Sequence, residues 1–374
     1  MKNKTKSKKK SWQKYIIIIA FILMGGVLGF LLGNYASGLG QVSPFIGLIM
    51  LPILLVSMII HIIVHEAGHL VFGLLSGYKF SSFRIFNFMW VKENEKIVFK
   101  RLKIAGTAGQ CLMSPPDMVN GRIPVVLFNL GGIIMNVAVS LVFLVLFFAF
   151  NCSAYVSLAL LIFVFAGLVT ALMNGIPMNS GAVSNDGYNA VSLTKDTNAM
   201  RSFWVQMKVT EMLTKGVRIK DMPAEWFEVP DDETMKNGMV AVMGVFAANR
   251  LMDEQKFEEA DSLMKHILEI DSGITPLHRN LVLCDRAYVE MIGENRKSVS
   301  DELLTKELWS FIKQMKKFPS VLRTEYTYSL LVLKDVDKAE KIKMLFEKVA
   351  LTDPYPQDIQ SERELMEIAE KKAV

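Results

Sequence analysis

Long apolar runs separated by short polar breaks organise the first half of the chain. Residues 15–33 are continuously apolar, a second run covers about 44–76, and two more, about 124–150 and 155–173, are parted only by Asn151-Cys152-Ser153-Ala154. A helix rising 1.5 Å per residue needs about 20 apolar residues to cross a hydrocarbon layer about 30 Å thick. The pattern therefore predicts four membrane-spanning helices. The first run is longer than the roughly 7–15 residues of a signal-peptide core, so it reads as a retained span. Residues 77–123 turn polar. Phe80 to Val91 is rich in Phe, Ile and Trp, Lys92-Glu93-Asn94-Glu95-Lys96 reads as a turn, and Ile97-Val98-Phe99 resumes a β-like pattern, which predicts a hairpin lying on the membrane surface. Gly106-Thr107-Ala108-Gly109 and Ser114-Pro115-Pro116-Asp117 are expected to break regular structure before the third span.

Beyond Asp186 the pattern changes. Apolar positions now recur at helical spacing among many charges, with amphipathic segments near 238–253, 256–270, 303–316, 324–333 and 338–350. Ala248, Leu251, Phe257, Ala260 and Asp271 fall at the spacing of a tetratricopeptide helix pair, with a weaker echo at Lys338-Ala339-Glu340 and Leu351-Thr352-Asp353-Pro354. The expected fold is an all-α polytopic membrane protein of about four transmembrane helices. It carries a small membrane-associated β-hairpin and a cytoplasmic helical domain, either tetratricopeptide-like or an irregular helical bundle. The expected boundaries are a Lys-rich tail at 1–14, a membrane-embedded domain at 15–186 with its polar loop at 77–123, and the helical domain at 187–374.

Charge supports this division and gives it an orientation. Residues 1–186 hold 15 Lys+Arg against 5 Asp+Glu, whereas residues 187–374 hold 27 against 32, so the net charge moves from +10 to −5. Seven Lys in residues 1–14, and eight Lys+Arg against three acids in 77–123, mark both as cytoplasmic segments. Four crossings then leave both termini in the cytoplasm of a multi-pass protein, and a bacterial cell membrane is the expected location. The overall charge of +5 does not mark a nucleic-acid binder, because the excess sits in the tail and one loop. Cys111, Cys152 and Cys284 are too few and too widely spaced for a disulfide framework or a Cys-based metal site.

The chemistry concentrates in the second run. Between Lys14 and Lys79 the only charged side chain is Glu66, inside His65-Glu66-Ala67-Gly68-His69. An ionisable cluster in hydrocarbon is costly and marks function. Histidines at i and i+4 share one helix face, a spacing that a single zinc ion bridges. Glu66 stands beside the first ligand, placed to act as general base toward a zinc-activated water. His61 shares the stripe one turn earlier and is expected to pack or to support a ligand rather than bind metal. Zinc in a catalytic site takes a third protein ligand. The candidates are Glu93, Glu95, Asp117 and Asp186, with Asp186 favoured because it ends a charge-free stretch from Ile123 to Asn185 and follows the helix-breaking Asn174-Gly175-Ile176-Pro177.

Together, His65-Glu66-Ala67-Gly68-His69, Gly132-Ile133-Ile134-Met135-Asn136, Asn174-Gly175-Ile176-Pro177 and Asp186-Gly187 resemble the motif regions of the site-2 protease family of intramembrane zinc metalloproteases. The resemblance covers about residues 44–190. It implies zinc bound by His65, His69 and Asp186, with Glu66 activating water and Asn136 helping to hold the substrate or the oxyanion. Two departures stand out: Ile133 where the family usually has proline, and a longer interval from Pro177 to Asp186. The implied function is hydrolysis of peptide bonds in or next to transmembrane segments of membrane proteins or signal-peptide remnants, with the lipid bilayer and a protein bound to the helical domain as further partners. The alternative is a membrane-anchored helical-repeat scaffold with a structural or vestigial metal site. Membrane metalloproteases that act from a cytosolic chamber place a Glu ligand on a later helix, and residues 123–185 contain no Glu.

Overall fold

The structure, a computed structural model, describes residues 46–93, 96–101, 107–178 and 184–373, together with scattered helical positions between 19 and 35. The tail at 1–14 and most of the expected first span at 15–33 lie outside the described residues, as do Asn94 and Glu95 of the expected turn. Three described helices are long and apolar enough to cross a membrane: α1 (Ile46–Leu75), α2 (Val125–Ala149) and α3 (Ala154–Gly175). The chain forms two compact units, one of residues up to 68 with 132–173, the other of residues 69–131 with 174–374.

The first unit is apolar outside and polar within. Leu51, Leu55, Val56 and Ile59 of α1, Val142, Val145 and Phe148 of α2, and Val156 of α3 are exposed, while Ser57, His61, His65, Asn136, Ser140 and Ser157 are buried. This inversion suits lipid, where apolar surface gains nothing by burial and helices associate through close packing and interhelical hydrogen bonds. Glycines make the close packing possible: a Cβ on Gly132 would come within 2.5 Å of the His65 ring, and one on Gly167 within 2.3 Å of the His61 ring. Phe143 of α2 stacks on Phe163 of α3 at 4.6 Å.

The second unit opens with the last turns of α1, from His69 to Leu75, and continues into an antiparallel sheet. Its strands are β1 (Lys79–Ile85), β2 (Phe88–Glu93), β3 (Lys96–Arg101) and β4 (Gly109–Ser114), in the order β3-β2-β1-β4. Val91 pairs with both Ser82 and Val98, which fixes the meander register. The expected first arm, Phe80 to Val91, is divided at Phe86-Asn87 into β1 and β2, so the expected hairpin is a sheet of four strands. β4 occupies a stretch expected to be irregular, because Cys111 and Met113 alternate into a core with Tyr78 and Phe128. Gly73 of α1 leaves room for Met113, whose sulfur would lie 2.3 Å from a Cβ there.

The rest of this unit is helical: α4 (Asp186–Lys195), α5 (Thr197–Thr214), α6 (Gly238–Asp253), α7 (Phe257–Glu269), α8 (Pro276–Ile292), α9 (Lys297–Leu303), α10 (Lys306–Gln314), α11 (Pro319–Thr327), α12 (Val336–Ala350) and α13 (Pro356–Ala373). Each expected amphipathic segment is helical. The segment at 303–316 divides, because Thr305 caps a new helix by accepting the Leu308 N–H. Ala248, Leu251, Phe257 and Ala260, singled out by their spacing, share one core. α5 docks on the sheet, where Trp204 Nε1–H donates to the Pro116 carbonyl at 2.9 Å. Arg323, 1% exposed, anchors the far helices: it pairs with Asp285, lies 3.3 Å from Glu362 and covers the Tyr288 ring at 4.4 Å.

Candidate metal centre

α1 carries the motif because it is an uninterrupted helix through His61, His65, Glu66 and His69, with its only proline at Pro52. Successive turns therefore align the three imidazoles on one stripe. His65 and His69 are each 7% exposed, and Glu66 is half-buried. His69 Nδ1–H donates to the Phe128 carbonyl at 2.8 Å, which leaves the Nε2 lone pair facing outward, 3.4 Å from Asp186 Oδ2. An acceptor of this kind behind a ring fixes its tautomer for metal binding. His65 stands one turn earlier, its Nδ1 3.3 Å from the Asn136 amide.

Asp186 is placed by its neighbours in sequence. It is the first residue of α4, and Asn185 is the cap: its Oδ1 accepts from the Tyr188 N–H at 3.0 Å and the Met178 N–H at 2.9 Å, while Nδ2 donates to the Ile176 carbonyl at 2.6 Å. One side chain thus ties the segment after α3 to the start of α4. Gly187 is required by a close approach, since a Cβ there would lie 2.1 Å from the Gly175 carbonyl oxygen.

His69 and Asp186 meet within the second unit, and His65 stands one turn before His69 on the same helix. In a tetrahedral zinc site with bonds of about 2.0–2.2 Å, ligand atoms lie about 3.3–3.6 Å apart. The 3.4 Å from His69 Nε2 to Asp186 Oδ2 matches one such edge. Two neutral imidazoles and a carboxylate also suit zinc chemically. The residues present fit the metal.

The other candidates stand elsewhere. Asp117 is exposed and pairs with Lys208 at 3.7 Å, Glu93 ends β2, and Glu95 lies outside the described residues. His61 is fully buried between α2 and α3, with Nδ1 3.3 Å from Asn136 Oδ1 and Nε2 2.9 Å from the Phe163 carbonyl. Asn136 is fully buried as well, its amide lying between His61 and His65. Sequence reasoning missed Phe128, which acts through its backbone, and Asn185, although Asn before an acidic first turn is a cap signal.

The model of peptidase family M50 matches residues 53–332, three-quarters of the chain. The chain belongs to peptidase family M50. Membership implies a membrane metalloprotease, consistent with the three apolar helices. The match to M50 runs well past residue 190, where the motif resemblance ends, and takes in the helices from α4 through α11. Neither a curated protein nor a solved structure matches the chain.

Proposed function

We propose that this M50 chain is a site-2-type intramembrane zinc endopeptidase, cleaving peptide bonds in or beside transmembrane segments of membrane proteins or signal-peptide remnants. The observation that carries the reading is Asp186 held against His69, with His65 one turn earlier on the same helix. His65, His69 and Asp186 hold the metal. Zinc, when bound, supplies Lewis acidity, which lowers the pKa of water toward about 7 and polarises a carbonyl. Glu66, next to the first ligand, takes a proton from the attacking water and returns it to the departing amine.

A helical substrate hides its carbonyls in its own hydrogen bonds, so it has to be extended before attack. The sheet supports strand addition as the means: β3 ends the strand order, with Ile97 and Phe99 exposed along it. Tetratricopeptide-like spacing in α6 and α7 supports a partner-binding role for the helical domain, and the Lys-rich tail and polar loop support cytoplasmic termini in a bacterial cell membrane.

The test compares membrane-protein fragments in cells carrying the parent chain and Glu66→Gln, with zinc measured on both purified proteins. The expected result is equal zinc and loss of cleavage in Glu66→Gln. Full cleavage by that variant overturns the mechanism, and a parent with no more zinc than His65→Ala favours the scaffold reading.

A further inference from the structure

His61 and Asn136 form a polar seam that the proposed proteolysis leaves unused. His61 Nε2 lies 2.9 Å from the Phe163 carbonyl oxygen. A carbonyl only accepts, so this nitrogen carries the proton, and Nδ1 of the neutral ring then presents a lone pair. That lone pair faces one end of the Asn136 amide at 3.3 Å, while the other end faces His65 Nδ1, also at 3.3 Å. Amide oxygen and nitrogen exchange places on a half-turn, so the neighbours decide which atom faces which ring.

With Oδ1 on His61 and Nδ2 on His65, two acceptors oppose each other at His61. The amide also donates to His65 Nδ1, which puts that ring's proton on Nε2, where it blocks metal binding. After the half-turn the contacts of Asn136 with both rings pair a donor with an acceptor. Nδ2–H donates to His61 Nδ1, His65 Nδ1–H donates to Oδ1, and His65 Nε2 keeps its lone pair. His69 reaches the same state through the Phe128 carbonyl. Both ligands then present Nε2.

We infer that Asn136 and His61 are positioning residues which set the tautomer of His65, carrying the fixed polarity of the Phe163 carbonyl to the metal-binding nitrogen. The seam is built for this. Asn136 and His61 are fully buried, Ser140 Oγ–H donates to the Asn136 carbonyl at 2.8 Å, and Gly132 and Gly167 leave room for the two rings. With both ends of its amide engaged and no exposed surface, Asn136 acts through His65 rather than by touching substrate.

The inference rests on the zinc reading, and two measurements separate their failures. In the metal-free full chain, labelled with 15N at histidine and reconstituted in lipid nanodiscs, the ring shifts and couplings should place the proton of His61 on Nε2 and those of His65 and His69 on Nδ1. Each ring is assigned from a spectrum lacking that histidine. A His65 proton on Nε2 overturns the inference without needing any folded variant of Asn136. In zinc competition, Asn136→Leu and His61→Phe should each weaken binding by about 10–100-fold, whereas Asn136→Asp, which keeps an acceptor toward His65, should stay within about threefold of the parent. A merely structural role makes Asp at least as damaging as Leu, because it buries a charge. Equal affinity in the parent, Asn136→Leu and His61→Phe overturns the relay. A parent that binds no zinc overturns the zinc reading instead, and the tautomer spectrum still decides the relay.

Discussion

At the scale of single residues, the candidate centre depends as much on what is missing from glycine as on what the ligands carry. A Cβ at 132 would come within 2.5 Å of His65 Cε1 and Nδ1, and one at 187 within 2.1 Å of a backbone oxygen. The His65 ring can swing aside, whereas the Gly175 carbonyl is backbone at the end of α3 and cannot. Gly132→Ala should therefore tilt one ligand, and Gly187→Ala should displace Asp186 itself. Zinc competition on the purified chain should show weakening of about 10-fold for Gly132→Ala and about 100-fold for Gly187→Ala, within the range for perturbed supporting groups. Unchanged affinity in Gly187→Ala would mean that Asp186 does not bind the metal. The two histidines were legible in the sequence because a helix converts i, i+4 spacing directly into proximity. The contacts of His61 with Asn136 and Phe163 were not, since they span 75 and 102 residues and depend on three helices packing in one way.

At the scale of elements, the critical boundary is the start of α4, because a ligand in the first turn is only as well placed as the turn is closed. Asn185 closes it with bonds to Tyr188 on one side and to Ile176 and Met178 on the other. Loss of an N-cap costs a helix about 0.5–2 kcal/mol. Asn185→Ala should lower zinc affinity and speed amide exchange at residues 186–190 while leaving exchange in α6 and α7 unchanged. Slow exchange at 186–190 in the variant would show that the cap does not govern this turn. Here the sequence was only partly legible. The extents of α1, α2 and α3 followed from apolar length alone, and those of α6, α7 and α12 from helical periodicity. β4 was hidden between two turn signals, because a six-residue strand acquires its meaning from Tyr78 and Phe128, which lie outside it. The tie from Asn185 to Ile176 crosses an interval whose length gives no hint of its closure.

At the scale of the whole molecule, buried carboxylates give the stability of the helical half a pH dependence. Carboxylates there are shifted in both directions, and two pairs show how. Burial favours the protonated form of Asp253, but Arg218, Ser361 and the Lys220 N–H outweigh it and hold the group low, while Arg218 holds Glu364 low directly. Asp358 and Glu362 go the other way, each pushed up to about 7 by burial first; neighbouring acids add to the rise, and Arg323 partly offsets it at Glu362. Groups held low contribute stability above the unfolded carboxylate range near 4, and that contribution is lost as pH falls through their folded values. Groups pushed up contribute fully below about 4, and theirs is lost as pH rises toward about 7. Between pH 5 and 8 the first pair is constant and the second declines, which lowers the thermal midpoint of the full chain in detergent over that interval, against an opposing contribution from His278, which burial holds low. Each kcal/mol moves the midpoint of a domain of 150–250 residues by about 2–4 °C, which makes the expected fall several degrees. Glu362→Gln cannot ionise, so its midpoint should fall less over the same interval, measured calorimetrically at constant ionic strength. Identical slopes for parent and variant would show that Glu362 does not titrate in this range.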